Sequence, residues 1–299
     1  DVSHVHEDGI ATVMSESESR QQLVNVMKGH QAKGRITATA AASLVGKMRW
    51  TSEASYGRAG AAAAQPFVQR QREESDRWTV EMSMALEMFE IITDERVIPP
   101  LTVDTLAMQR NEACVILYTD AAFHWEWDKE VGAMTPRLKL CWWSYDQIDG
   151  TTVASMTQVP MDYYDLFTDN LKTYITQGEL LAPIAALYSA PHRFAGRKVI
   201  MFVDNSSALS AIINGYSGKP DLARMVNMFH IATTALCIQI WGEWVPSDAN
   251  VADIPTRPEK WHLIPEWVVW MPMKLPPLRV GAEELRAWFD YMRAEFTRV

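Results

Sequence analysis

Two runs, "ACVILYTD" at 113–120 and "RKVIMFVD" at 197–204, constrain the fold of this chain more than any other feature. Each is a short, continuously apolar stretch that stops at an aspartate. A run that is apolar at successive rather than alternate positions fits a strand covered on both faces. "NSSALSAII" starts a helix directly after the second run, and "QGELLAPIAALYSA" starts another at about Gln177, where Pro183 is tolerable only near the first turns. "RLKLCWWSYD", "TTVASMTQVP" and "CIQIWGEWVP" are further strands. "DLARMVNMFHIATTAL" is a helix with Leu222, Met225, Val226 and Phe229 on one stripe, and a short helix lies at 250–256. The order β-β-β-α-β-α-α-β-α predicts an α/β fold, a mixed five-stranded sheet with flanking helices.

Upstream, "SESESRQQLVNVMKGHQAKG" is helical, puts Leu23, Val26 and Met27 on one face, and stops between Gly29 and Gly34. One or two Ala-rich helices follow, broken near Gly57, and a third places Trp78, Met82, Leu86 and Phe89 at helical spacing. Residues 1–15 are polar and strand-like at best, and a double proline at 99–100 closes the region. The expected organisation is a mainly helical module at 1–105, the sheet domain at 106–260 and a Trp- and Pro-rich tail at 261–299. That tail is irregular until "AEELRAWFDYMRAEF", an amphipathic helix using Leu285, Trp288, Phe289, Met292 and Phe296.

The 299 residues are 48% apolar and 22% charged, which allows one large packed domain or two ordinary ones. Cys114, Cys141 and Cys237 are odd in number, far apart and without C-x-x-C spacing, so neither a disulfide framework nor a zinc site is expected. No apolar run is long enough to cross a membrane. No signal peptide is recognisable, and the expected location is intracellular, cytoplasmic or nuclear. The chain begins with Asp rather than Met, as a segment of a longer polypeptide would.

A net charge of −9 argues against nucleic-acid binding by the whole surface, but the charge is uneven. Nine basic residues between Arg20 and Arg72 face one acid, Glu53. Lys33, Arg35, Lys47, Arg49 and Arg58 in that run are candidates for phosphate contact; an ordinary solvated helix face is the plainer alternative.

The acids carry the chemistry. If the strands ending at Asp120 and Asp204 are neighbours, their carboxylates lie side by side at one sheet end. Unpaired carboxylates that close repel one another by several kcal/mol in a low-dielectric setting, and a divalent cation with oxygen ligands relieves that repulsion. Four carboxylates around one point can hold two such ions about 3.5–4 Å apart, enough to activate a water and stabilise the leaving oxygen of a phosphodiester. Singly, Glu179 is a helix-start acid and Asp253 a partner of the capping residue Asn250.

"LYTDAA", "QGELLAPIAALY", "FVDNSSALSAI" and "WVPSDANVADIPTR" resemble, in order, the four motifs of ribonuclease H domains, most of all those attached to retroelement reverse transcriptases. The resemblance implies that Asp120, Glu179, Asp204 and Asp253 are catalytic and hold two Mg²⁺ or Mn²⁺ ions. It implies hydrolysis of the RNA strand of an RNA–DNA hybrid, with an upstream polymerase domain as partner. The acids are separated by 59, 25 and 49 residues. The first separation is long because of an insertion at 146–176, and no His lies between Gly242 and Asp253, where many members carry one. "SLVGKMRWTSEASYGR" is similar to the thumb or connection segment of these reverse transcriptases, and residues 1–13 resemble the last palm strands. The polymerase's Y-x-D-D motif is absent, so this chain alone does not polymerise.

Asn205 and Ser206 are candidates for contact with the substrate backbone and its 2′-hydroxyl, or simply for capping the next helix. Arg257 steadies a phosphate or pairs with a nearby acid. Trp residues at 261–270 stack on bases or pack the tail. His124 is expected to be solvated. A related exonuclease would need an acid two residues after Asp120, where Ala122 stands; a transposase-like site would need Glu243 on a helix, and it lies in a strand-like run. A domain that binds hybrid without cutting it is the remaining alternative.

Overall fold

The computed structural model describes residues 2–5, 10–13, 16–53, 59–94, 101–104, 113–167, 172–277, 286–288, 290–291 and 294. In its first third, β1 (Val2–Val5) and β2 (Ile10–Val13) precede α1 (Ser17–Lys33), α2 (Ala38–Glu53), α3 (Gln65–Arg70) and α4 (Val80–Ile92). β3 (Leu101–Asp104) then pairs antiparallel with β2, and β2 with β1, so a small sheet brackets the helices in sequence. Gly34 ends α1 at φ 64°, a conformation that costs glycine little. Thr79 caps α4 by accepting from the Met82 N–H at 3.3 Å. Leu23, Met27, Met48, Phe67, Met82 and Phe89 fill the space between these helices, with Phe67 edge-on to Trp78. Val26, expected on the buried face, is exposed, and Val24 takes its place.

The sheet domain runs β4 (Val115–Asp128), β5 (Ala133–Asp146), β6 (Thr152–Gln158), α5 (Ile175–Ser189), α6 (Pro191–Phe194) and β7 (Lys198–Val203). It continues with α7 (Ser206–Asn214), α8 (Pro220–Ala235), β8 (Gln239–Trp244), α9 (Asp253–Thr256) and β9 (Val269–Trp270). The spatial order is β8-β7-β4-β5-β6-β9. β8, β7 and β4 are parallel, β5 is antiparallel to both β4 and β6, and β9 is parallel to β6.

The sheet thus has six strands, not the expected five. β9 comes from the tail, where two residues are too few for any periodic signal. The tail is anchored just after this strand: Ser155 Oγ donates to the Met271 carbonyl at 2.8 Å, Tyr163 to that of Pro276 at 2.7 Å, and the Lys274 N–H donates to Ser189 Oγ at 2.8 Å. Trp288 is buried against Tyr188, whereas Leu285, Phe289, Met292 and Phe296 lie outside the described residues.

β4 does not stop at Asp120 but continues eight residues beyond it, paired throughout with β5. Part of the insertion covers this extension. Tyr164, Phe167 and Tyr174 pack edge-on or tilted with one another, and Tyr174 also meets Phe123 and Trp125 of β4.

Helix α5 is buried on nearly every residue, the mark of a core helix. It lies against β4 and β5 on one side and α7 and α8 on the other. It starts at Ile175, so Pro183 sits in its interior rather than its first turns. Packing on all sides outweighs the local cost of the proline, which removes one donor and strains the turn before it. Gln177 Nε2 donates to Asp221 Oδ2 at 2.9 Å and ties α5 to α8.

Candidate active site

The parallel ladder between β4 and β7 ends with Thr119 opposite Val203. The next residue of the chain after each is an aspartate, so Asp120 and Asp204 stand side by side where the two runs stop pairing. Glu179 reaches the same point from α5, in its second turn rather than its first. Its approach depends on Gly178: a Cβ there would lie 2.6 Å from Leu138 Cδ1 and 2.7 Å from Ala121 Cβ. Ligand atoms of Asp120, Glu179 and Asp204 all fall within 4.8 Å of one another, the only such acidic group among the described residues.

The electrostatics match the crowding. Burial is the largest cause that raises Asp120 from 3.8 to about 7; the Thr256 hydroxyl opposes it, and the charges of Asp204 and Asp253 add to it. Glu179 is pushed well above the ordinary carboxylate range, first by burial and then by Asp120 and Asp204. Its Oε1 accepts from the Ala121 N–H at 3.3 Å, while Oε2 is buried without a hydrogen-bond partner. A buried carboxylate oxygen in that state costs free energy unless something binds it. Three converging oxygen donors, one of them orphaned, fit a hard divalent cation such as Mg²⁺ or Mn²⁺.

Asp253 is placed differently. It is the first residue of α9 and is buried, but it stands outside the three-carboxylate group. Arg257 Nε bonds its Oδ1, and Lys260 Nζ lies 2.5 Å from its Oδ2. Arg257 therefore pairs with an acid, one of the two roles expected of it.

Asn250 is a strut: its Nδ2 donates to the Thr119 carbonyl at 3.0 Å and its Oδ1 accepts from the Ala252 N–H. It fastens the loop before α9 to β4 one residue from Asp120 and is not the cap of α9. Asn205 does cap α7, accepting from the Ala208 N–H at 3.0 Å, and Ser206 is exposed at the start of that helix. His124 is exposed and outside the acidic group. Thr256, Gly178 and Lys260 belong to the site but were not singled out from sequence. The signal for Thr256 was its position three residues after Asp253, one helical turn on. Trp244 also joins the site, its indole N–H donating to the Asp204 carbonyl at 3.0 Å.

The basic run divides in two. Arg20 and Arg70 are buried, Arg70 bonding the Ser75 and Arg77 carbonyls and Glu73, and Lys28 pairs with Glu90 at 2.6 Å. Lys33, Arg35, Lys47 and Arg49 are exposed, and so is Trp50, next to Arg49 on α2; Arg58 lies outside the described residues.

No protein-family model matches the chain, and no curated protein matches it. Among the solved structures similar to it are two RNase H domains. One is an N-terminal RNase H domain from Mycobacterium tuberculosis, solved as a fusion with maltose-binding protein. It is 16% identical, with 51% of this chain and 96% of that one covered and a TM-score of 0.35. The other is RNase H1 from the halophilic archaeon Halobacterium salinarum, also 16% identical, with 50% and 98% covered and a TM-score of 0.33.

Proposed function

We propose that this chain is a ribonuclease H-type endonuclease that hydrolyses the RNA strand of RNA–DNA hybrids. In this reading it is the C-terminal part of a reverse transcriptase-like protein, with residues 1–105 as a thumb- or connection-like module. The observation that carries the nuclease reading is the convergence of Asp120, Glu179 and Asp204 with an orphaned, buried carboxylate oxygen. A purely structural core has no use for that arrangement.

Asp120, Glu179 and Asp204 would hold divalent ions, which when bound activate water and neutralise charge at the leaving oxygen. Asp253 supports the same centre from α9. The Thr256 hydroxyl and the Ala121 N–H orient two of the carboxylates. Ser206, and the amide nitrogen of Asn205 left over from its cap, face the substrate backbone and its 2′-hydroxyl. Lys33, Arg35, Lys47 and Arg49 take phosphates further along the duplex, and the same role falls to Arg58.

The test is an end-labelled RNA–DNA hybrid with Mg²⁺, then with EDTA, and with Asp204→Asn as control. Metal-dependent cutting of the RNA strand, lost in the variant, is the expected result. A folded protein that leaves the RNA intact with both Mg²⁺ and Mn²⁺ would favour the second reading, a domain that binds hybrid without cutting. The engagement of both Asp253 oxygens by cations is the observation on that side.

A further inference from the structure

The four acids of this site do not share one role. We infer that Arg257 and Lys260 occupy the place of a second metal ion, so that the free protein binds a single divalent cation, on Asp120, Glu179 and Asp204. The inference rests on the metal-binding part of the function proposed above, and it departs from the two ions that the motif resemblance implies.

The observations are geometric. Asp253 is 3% exposed, and each of its carboxylate oxygens is taken, Oδ1 by the Arg257 guanidinium and Oδ2 by the Lys260 ammonium at 2.5 Å. Neither oxygen is offered to an ion unless one of these bonds breaks. Asp120, Glu179 and Asp204 differ in both respects, because their ligand atoms converge and Glu179 Oε2 has no partner.

Charge balance points the same way. Four ionised carboxylates carry four negative charges, which Arg257, Lys260 and one divalent ion cancel. A second divalent ion would leave the centre two charges positive unless a side-chain cation withdrew. The clamp belongs to the same electrostatic unit, since the charge of Arg257 is felt at Asp120 as well as at Asp253. Asp253 is buried while Lys260 is partly exposed, so leaving Asp253 without a cation is costly, and an ion would have to replace Lys260 in the same step. Lys260 is thus a positioning residue acting through Asp253.

The test counts Mn²⁺ bound per chain by equilibrium dialysis in the absence of nucleic acid, up to millimolar ion. The expected result is one ion for the wild-type chain and one for Asp253→Asn, bound somewhat more weakly because a negative charge acting on Asp120 and Glu179 is removed. That substitution keeps the shape of the side chain and the bond to Arg257. Lys260→Ala, confirmed as folded by its melting transition, is expected to gain a second, weaker ion as Asp253 Oδ2 is released. Two ions on the wild-type chain with one lost in Asp253→Asn would overturn the inference. So would no ion on the wild type, or a folded Lys260→Ala chain that still binds one. Hybrid cleavage plays no part in the count, so failure of the nuclease reading and failure of this one are separately visible.

Discussion

Thr256 Oγ1 lies 2.9 Å from Oδ2 of Asp120 and 3.0 Å from the backbone carbonyl of Asp253, so one hydroxyl joins the acid of β4 to the start of α9. Its single proton serves the carboxylate or the carbonyl at any instant. Thr256→Val keeps the shape and removes the donor. The variant is expected to lose about 1–3 kcal/mol, since a buried oxygen of Asp120 is left unmatched. Without the hydroxyl, which opposes burial, Asp120 should hold its proton to higher pH, and ion binding should weaken most below neutrality. Denaturant titration and Mg²⁺ affinity at two pH values check both effects.

Asp120 makes the ion-free protein less stable as pH rises. Its folded value of about 7 stands above its unfolded value, so between the two the folded chain binds a proton that the unfolded chain has lost. Its contribution is full below about pH 4 and is lost as pH approaches 7, a change of up to about 4 kcal/mol. In EDTA, wild type should therefore lose more stability from pH 5 to pH 7 than Asp120→Asn does. The variant should be the more stable of the two at pH 7. Saturating Mg²⁺ should restore the wild type and leave the variant largely unresponsive.

Gly178→Ala is expected to cost about 1–3 kcal/mol by overpacking, because the new methyl would meet Leu138 and Ala121 at under 3 Å. α5 must then retreat from the sheet and take Glu179 with it. The diagnostic outcome is a loss of Mg²⁺ affinity larger than the loss of stability predicts. Equal binding in a folded variant would show that Glu179 is not a ligand.

The ion pair between Asp146 and Arg197 supplies a control. Burial raises the Asp146 carboxyl, but hydrogen bonds from Arg197, at 2.9 Å to each oxygen, and from the Ile148 N–H outweigh it and hold the group below its ordinary value. This pair contributes stability above the ordinary carboxylate range and loses it as pH falls. Asp146→Asn should lower the melting temperature near neutral pH while leaving the response to Mg²⁺ unchanged.

Lys47→Gln and Arg49→Gln are expected to weaken hybrid binding in an assay free of divalent ions. If each contacts a phosphate, the slope of log affinity against log salt should shrink by about one for each. Unchanged slopes would assign these residues to a solvated face.

Where burial alone decided structure, the sequence was legible. The runs at 113–120 and 197–204 could only be covered strands, and a helix between them made a parallel pairing natural. The step from parallel strands to adjacent acids needed register, which depends on partners elsewhere in the chain. β4 ran past its expected end because Trp125 and Trp127 are half-exposed and their pairing with β5 leaves no continuous apolar signature. The basic run was legible only in part, since a charge that pairs in the core and one that meets solvent look alike in sequence. Arg70, 1% exposed, and Lys47, exposed on α2, show the two cases within one stretch. The same ambiguity hid the hold of Lys260 on Asp253 seven residues away.

The burial of α5 on nearly every face also has a kinetic meaning. Glu179 reaches Asp120 and Asp204 only once α5 is enclosed between the sheet and α8, after contacts far apart in sequence have closed. Such non-local closure comes late in folding. A half-assembled chain therefore does not present the three oxygens together, and the affinity proposed for an ion would arise in the same cooperative step as the core. Under the proposed function, ion binding would in this sense report completed folding, and a nascent or damaged molecule would lack the assembled acidic group.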